Sequence, residues 1–144
     1  MARNLLKAGH HVVLHNRTPS KAEALASEGA RVAKSVGEAC RNEAVVTMLA
    51  DDEAVADAVF GEGNLLAELP KNAVHVSMST ISVALSDRLT EAHQAEGQAF
   101  VAAPVFGRPD AAAAAKLFII AAGAEDAIGR AHPLFDRCLS GCLI

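Results

Sequence analysis

Residues 5–21, LLKAGHHVVLHNRTPSK, constrain the fold more than any other stretch of the chain. Leu5, Leu6 and Ala8 make the last turn of a helix, and Gly9 stands where a helix C-terminus needs positive φ. Residues 11–15 then read as a short strand with little room for solvent on either face, a run suited to the interior of a parallel sheet. The next helix opens at Thr18-Pro19, a capping hydroxyl followed by a first-turn proline.

The same alternation continues along the chain. A helix is expected over residues 20–28, with Gly29 ending it, followed by a brief strand at 30–33. Ser35 caps a short helix with Glu38 three residues on, a capping-box pattern. Residues 44–49 read as a central strand, and Asp51, Asp52 and Glu53 sit where the dipole of the following helix favours acid. Gly61 and Gly63 break that helix, and a short one precedes Pro70. A strand at 74–78, a helix at 83–95 and a strand at 99–103 come next. Residues 104–109 read as a loop, 110–115 as an alanine-rich turn or helix, 116–122 as a last strand and 124–135 as a helix. Strands alternating with helices at this spacing call for a parallel sheet covered on both faces.

The chain has 144 residues, enough for one core and not for two. Its net charge of −4 and lack of any basic run give no footprint for nucleic acid. No stretch has the length of a membrane span, and the start lacks a signal-peptide pattern. Three cysteines, Cys40, Cys138 and Cys142, argue against a disulfide framework and fit a reducing cytoplasm. The Cys138/Cys142 spacing lacks further ligands and reads as incidental, so no metal site is expected. His11 and His15 share a strand face without an acidic partner and read as packing and edge residues.

Ligands of open parallel sheets bind beyond the carboxyl ends of the strands. Three such ends stand out: Asn16-Arg17-Thr18, Met48-Leu49-Ala50 and Ser79-Thr80. In a dinucleotide-binding fold the second strand ends at the adenine ribose, where a carboxylate selects NAD and an arginine without one accommodates a 2′-phosphate. Here the acid is missing, and the Arg17 guanidinium can hold phosphate through two parallel hydrogen bonds. The alternatives are a solvated Arg17, core packing for Met48 and Leu49, and a helix cap for Thr80.

LLKAGHHVVLHNRTPSKAEAL resembles the first helix, second strand and second-helix entry of the β-hydroxyacid dehydrogenase family. That family includes 3-hydroxyisobutyrate dehydrogenase, the NADP domain of 6-phosphogluconate dehydrogenase, glyoxylate reductases and imine reductases. Ala102-Ala103-Pro104-Val105-Phe106-Gly107 is similar to its substrate-binding signature, and the matches together cover nearly the whole chain. The resemblance implies an α/β fold: a Rossmann-like doubly wound parallel sheet, lacking the first strand and the C-terminal helical domain. Residues 1–144 are then a single, partial NAD(P)-binding domain.

By resemblance, NADP is the expected cofactor, with NAD the lesser alternative. Asn16, Arg17 and Thr18 would meet its adenine ribose, and Met48, Leu49 and Ala50 would line the dinucleotide. Ala54 or Val55 would lie near the adenine, and Thr80 beside the nicotinamide ribose. Pro104, Val105, Phe106 and Gly107 would receive a small-molecule substrate. The family's signature reads Ala-Pro-Val-Ser-Gly-Gly, so Phe106 replaces the serine and Arg108 the second glycine. Phenylalanine cannot hydrogen-bond a hydroxy acid, which favours a bulkier or more apolar carbonyl or imine. Arg108 reads either as a replacement cation for an anionic substrate or as a solvated loop residue.

The family's Gly-x-Gly-x-x-Gly turn has no counterpart here, since Gly61-Glu62-Gly63 lacks the third glycine and a preceding strand. The family's catalytic lysine lies on a helical domain beyond the substrate loop, so no catalytic residue is assigned within the chain. Residues 138–144 also depart from the family pattern. The expectation is an inactive fragment, weak in NADPH binding, of an oxidoreductase whose parent is a homodimer. The alternative is a non-catalytic binding or assembly module that keeps the fold without the chemistry.

Overall fold

Caps and glycines cut the chain close to the breaks expected of them. The computed structural model describes residues 1–136 and 139–143. Helix α1 (Ala2–Lys7) ends at Ala8, and Gly9 turns the chain with φ +88°. Strand β1 is only Val13–Leu14. Val12, Val13 and Leu14 are half-buried and His11 and His15 exposed, so the two dry faces expected of this run are not present. Helix α2 (Pro19–Glu23) is shorter than expected, and a 3₁₀ turn (Ala26–Glu28) replaces its second half. Bonds from Leu25 N to Ala22 O and from Ala30 N to Leu25 O close that tightened end.

Strand β2 (Arg31–Val32) leads to α3 (Val36–Cys40) through the expected cap, in which Ser35 Oγ accepts from Glu38 N at 3.1 Å. The Glu38 carboxylate reaches back to Lys34 N and to Arg31, at 2.9 Å each. The chain continues through β3 (Ala44–Thr47), α4 (Asp52–Phe60), α5 (Leu65–Glu68), β4 (Val74–Ser77), α6 (Val83–Ala95) and β5 (Ala99–Ala102). The segment after Pro104 is more than the loop expected there. It forms β6 (Val105–Phe106) and is followed by α7 (Pro109–Ala113), β7 (Leu117–Ile120), β8 (Ala122–Gly123), α8 (Glu125–Phe135) and β9 (Leu139–Leu143).

The expected parallel pairing is present. β3, β4 and β5 run parallel in that order, with Ala44 opposite Val74 and Val74 opposite Ala99. β8 adds antiparallel to β5. β1 and β2 form a separate parallel pair, and a third sheet holds β6 antiparallel and β9 parallel to β7. β3, read from sequence as central, is an edge strand among the described residues because only β4 pairs with it.

Alternate residues of β4 and β5 point to opposite helical layers, which makes the architecture doubly wound. Val74, Val76, Met78, Val101 and Ala103 pack with Ala127, Ile128, Ala131 and Phe135 of α8. Phe100 and the half-buried Val45 pack on the other side with Val55, Val59, Leu65, Leu85 and Leu89. Fully burying side chains of this kind is worth about 1.5–3 kcal/mol each. Cys40 lies in the second layer, 1 % exposed, and burial pushes its thiol up to about 11.

That second layer also contains a polar chain. Gln98 Nε2 donates to the carbonyls of Leu66 (2.9 Å) and Leu69 (2.7 Å), so its Oε1 is left to accept from His93 Nδ1 at 2.7 Å. Neutral His93 must then accept at Nε2 from His75 Nδ1, 2.9 Å away, and His75 Nε2 accepts from the Thr47 hydroxyl at 2.9 Å. Phe100 stacks on His93 and meets His75 edge-on. Every ring nitrogen has a partner, and one proton order satisfies them all.

An added proton would put a charge into this buried chain, where no acidic side chain bonds to either ring. Burial, with the neighbouring His93, holds His75 well below its ordinary 6.5, and burial also lowers His93. The unfolded chain therefore takes up protons before the folded one does. Stability should be at its full value above about pH 6.5 and fall as pH drops below it, by about 1.4 kcal/mol per pH unit for each proton taken up. Melting curves between pH 7.5 and 5 test this, and the variant His75→Leu/His93→Leu should lose most of that acid slope whatever its absolute melting temperature. An unchanged slope would place the acid sensitivity elsewhere.

Candidate functional site

The end of β1 is organised by a side chain. Asn16 Oδ1 accepts from Thr18 N at 2.8 Å, which turns the chain and sets Thr18 at the N-cap with Pro19 behind it. The Thr18 hydroxyl makes no capping bond, so only its position matches the cap expected. Arg17 is exposed and has no hydrogen bond or ion pair among the described residues. No acidic residue occurs between positions 10 and 22.

At the end of β3, Met48 is 52 % exposed and Leu49 38 %, which rules out core packing for them. Ala50 is exposed and Ala54 half-buried. Leu49 N donates to Ser79 Oγ at 2.8 Å, and Ser79 is 3 % exposed. Asp51 caps α4 by accepting from Ala54 N at 2.9 Å. Asp52 accepts from Ser82 N at 2.9 Å and from the Ser82 hydroxyl, and these two bonds hold its carboxyl below the usual range. Ser82 Oγ in turn accepts from Leu85 N at 3.2 Å and is the cap of α6. The cap expected of Thr80 therefore belongs to Ser82, and Thr80 is exposed with no hydrogen bond among the described residues.

Beyond β5, Pro104 and Val105 are half-buried, and Phe106 and Gly107 exposed. Val105 pairs with Ile119 and Phe106 with Phe118. Gly107 has φ +145°, a conformation that favours glycine, and a Cβ there would lie 2.8 Å from Leu117 Cδ2 of β7.

β3, β4 and β5 are neighbours with their ends in register, Thr47 opposite Ser77 and Ser77 opposite Ala102. The structure therefore brings Met48, Leu49, Ala50, Thr80 and the segment from Pro104 to Gly107 to one sheet edge. Asn16, Arg17 and Thr18 follow β1, which pairs with β2 and not with that sheet. Ser79 and Asp52 stand out in the sequence by position, but their bonds to Leu49 and Ser82, which tie these ends together, do not. The cap by Ser82 had a local signal, whereas the Asp52–Ser82 and Leu49–Ser79 links join residues about thirty positions apart.

Two surface concavities lie elsewhere: one of about 280 Å3 beside Phe60, Asn64 and Glu96, and one of about 200 Å3 beside Asn4, Lys7 and Ala115. Neither includes a candidate residue. Among the described residues no group of three or more His, Cys, Asp or Glu could hold a metal, and no helix is long and apolar enough to cross a membrane. Cys138 and the Cys142 side chain lie outside the described residues.

Residues 1–143 match the family model for the NAD binding domain of 6-phosphogluconate dehydrogenase. The chain is 50% identical over 137 residues to the uncharacterized oxidoreductase YfjR of Bacillus subtilis, covering 94% of this chain and 48% of that protein. It is 34% identical to glyoxylate/succinic semialdehyde reductase 1 of Arabidopsis thaliana, over 94% of this chain and 47% of the relative. Among solved structures, Psf3 in complex with NADP+ and 2-OPP superposes with a TM-score of 0.92 at 29% identity, over 99% of this chain and 51% of that one. The chain spans about half the length of the curated relatives it matches.

The contrast between Ser79 and Thr80 is measurable. Ser79→Ala leaves Leu49 N–H without its acceptor and should cost about 1–3 kcal/mol in urea unfolding. Thr80→Ala, at an exposed position, should stay within about 0.5 kcal/mol of the parent. Equal losses at the two positions would show that the Leu49–Ser79 bond does not hold the strand ends.

Proposed function

Because this chain belongs to the family of the 6-phosphogluconate dehydrogenase NAD-binding domain, we propose that it is the NADP-binding part of an oxidoreductase acting on a small hydroxy acid, carbonyl or imine. Arg17 carries the choice of NADP: an exposed guanidinium without a partner among the described residues, at the end of β1, with no carboxylate beside it. A 2′-phosphate suits that cation, and a ribose 2′-hydroxyl would find no acid there to bond. Asn16 and Thr18 hold the turn that presents it.

The other candidate residues fit the rest of such a ligand. Met48 and Leu49 expose apolar surface beyond β3, Ala50 adds no bulk, and Ala54 lies in the first turn of α4. The Thr80 hydroxyl is free to bond a ribose. Bound there, the nicotinamide would supply or accept the hydride. The residues of this chain bind and orient: Arg17 by charge, Met48 and Leu49 by contact, and Pro104 to Gly107 by shaping the substrate side. None of these side chains is a general acid or base, so the proton of the reaction is left to a group other than these. No glycine-rich turn among the described residues offers backbone donors to a pyrophosphate, so binding by this chain alone should be weak. The reading includes a small-molecule substrate and a homodimeric parent in the cytoplasm, a compartment that the low cysteine count supports.

Titration with NADPH and NADH, followed by nucleotide fluorescence, tests the assignment. Arg17→Ala should weaken NADPH by roughly ten- to a hundredfold, the worth of a charge-assisted pair of about 1.5–3 kcal/mol, and leave NADH nearly unchanged. Added salt should narrow the preference for NADPH. Equal losses for both nucleotides would show that Arg17 does not read the 2′-phosphate.

A further inference from the structure

The face of β6 and β7 turned away from the core is apolar where a solvated strand would be polar. Along β7, Leu117 and Ile119 are buried, whereas Phe118 is 40 % and Ile120 41 % exposed. Phe106 of β6 is 56 % exposed and pairs directly with Phe118, so the two rings emerge side by side on one face. Ile120, two residues along β7, shares that face. Three large apolar side chains exposed together on one antiparallel strand pair call for a ligand or partner to cover them.

The position of this face says which. Phe106 belongs to the segment leaving β5, and β5 is the neighbour of β4, whose end leads to Thr80. β7 is fixed to that segment at three points: the two residue pairs, the close approach of Gly107 to Leu117, and Ile120 N donating to Pro104 O at 3.3 Å. β7 and the candidate substrate segment are therefore one surface. We propose that Phe118 and Ile120, with Phe106, form the apolar wall of the substrate site and select a carbonyl or imine compound with a hydrocarbon body over a small hydroxy acid. This rests on the reading of residues 104–107 as the substrate side. It adds two specificity-determining residues from a strand more than ten positions further along the chain.

The chemistry follows from the surface. None of the three side chains has a hydrogen-bond donor, so a small anionic acid seated here would lose hydration without gaining a partner. A hydrocarbon body would instead remove the exposed ring surface from water.

Fluorine NMR on protein labelled with 4-fluorophenylalanine reads this directly. Phe106→Leu and Phe118→Leu assign two of the five resonances. NADPH is added first, and its own saturable fluorescence change reports on the cofactor reading independently. Cyclohexanone should then shift the Phe106 and Phe118 resonances saturably and leave those of Phe60, Phe100 and Phe135 in place, while glyoxylate should shift none. Phe118→Thr should weaken cyclohexanone about tenfold with NADPH affinity and melting temperature unchanged. A cyclohexanone shift without NADPH binding would support the wall independently of the cofactor reading. No shift with cyclohexanone, equal shifts with glyoxylate, or shifts that follow protein concentration alone would overturn the proposal. The last of these would make the face a contact between two copies of the chain.

Discussion

The orientation of the Gln98 amide decides the hydrogen bonding of half the second layer. Two backbone carbonyls, of Leu66 and Leu69, claim its NH2 group, and its oxygen can then only accept. From that point the donors run one way, from Thr47 through His75 and His93. The chain of bonds ties the edge strand β3, the buried strand β4, helix α6 and the carbonyls around α5 into one unit. Buried imidazoles without partners would be costly in an apolar layer. Here the ring nitrogens, the Gln98 amide and the Thr47 hydroxyl satisfy one another, while Phe100 stacks on His93 and meets His75 edge-on.

The strand ends above this layer fall into two physical types. Those of β3 and β4 are tied through Leu49–Ser79 and Asp52–Ser82, bonds whose partners come from different loops. Under the proposed reading such fixed positions would favour binding, since a geometry prepared in advance loses less freedom on binding. The end of β1 is ordered in its backbone by Asn16, while the Arg17 side chain stays unpaired among the described residues. A guanidinium with its donors uncommitted can turn toward an incoming anion.

What the sequence made legible was local. Ser35 and Gly9 stand at boundaries that their own chemistry sets, and α6 spans the residues expected of it. The alternating layers of β4 and β5 likewise follow from runs of apolar residues. The pairing that makes β6 a strand escaped notice because two residues are too few to show an alternation, so Phe118 and Ile120 were never joined to Phe106. The histidine chain was equally hidden: His75 and His93 sit in different elements, and nothing near either one in sequence announces the other. The interior position expected of β3 depended on a neighbour that local pattern cannot supply, and only β4 pairs with it here. Arg17 was read from three residues, and its structural support is the lack of any competing partner.

Cys40 gives this fold a built-in clock. Its thiol is buried against the second layer, and burial pushes it up to about 11, so in the closed fold the reactive thiolate is scarce at neutral pH. Alkylating reagents can meet it only when α3 lifts from its neighbours and the thiol regains its ordinary acidity. The pace at which the peptide bearing Cys40 gains mass under a fixed reagent concentration therefore counts openings of that corner, one molecule at a time, without any probe being added to the protein.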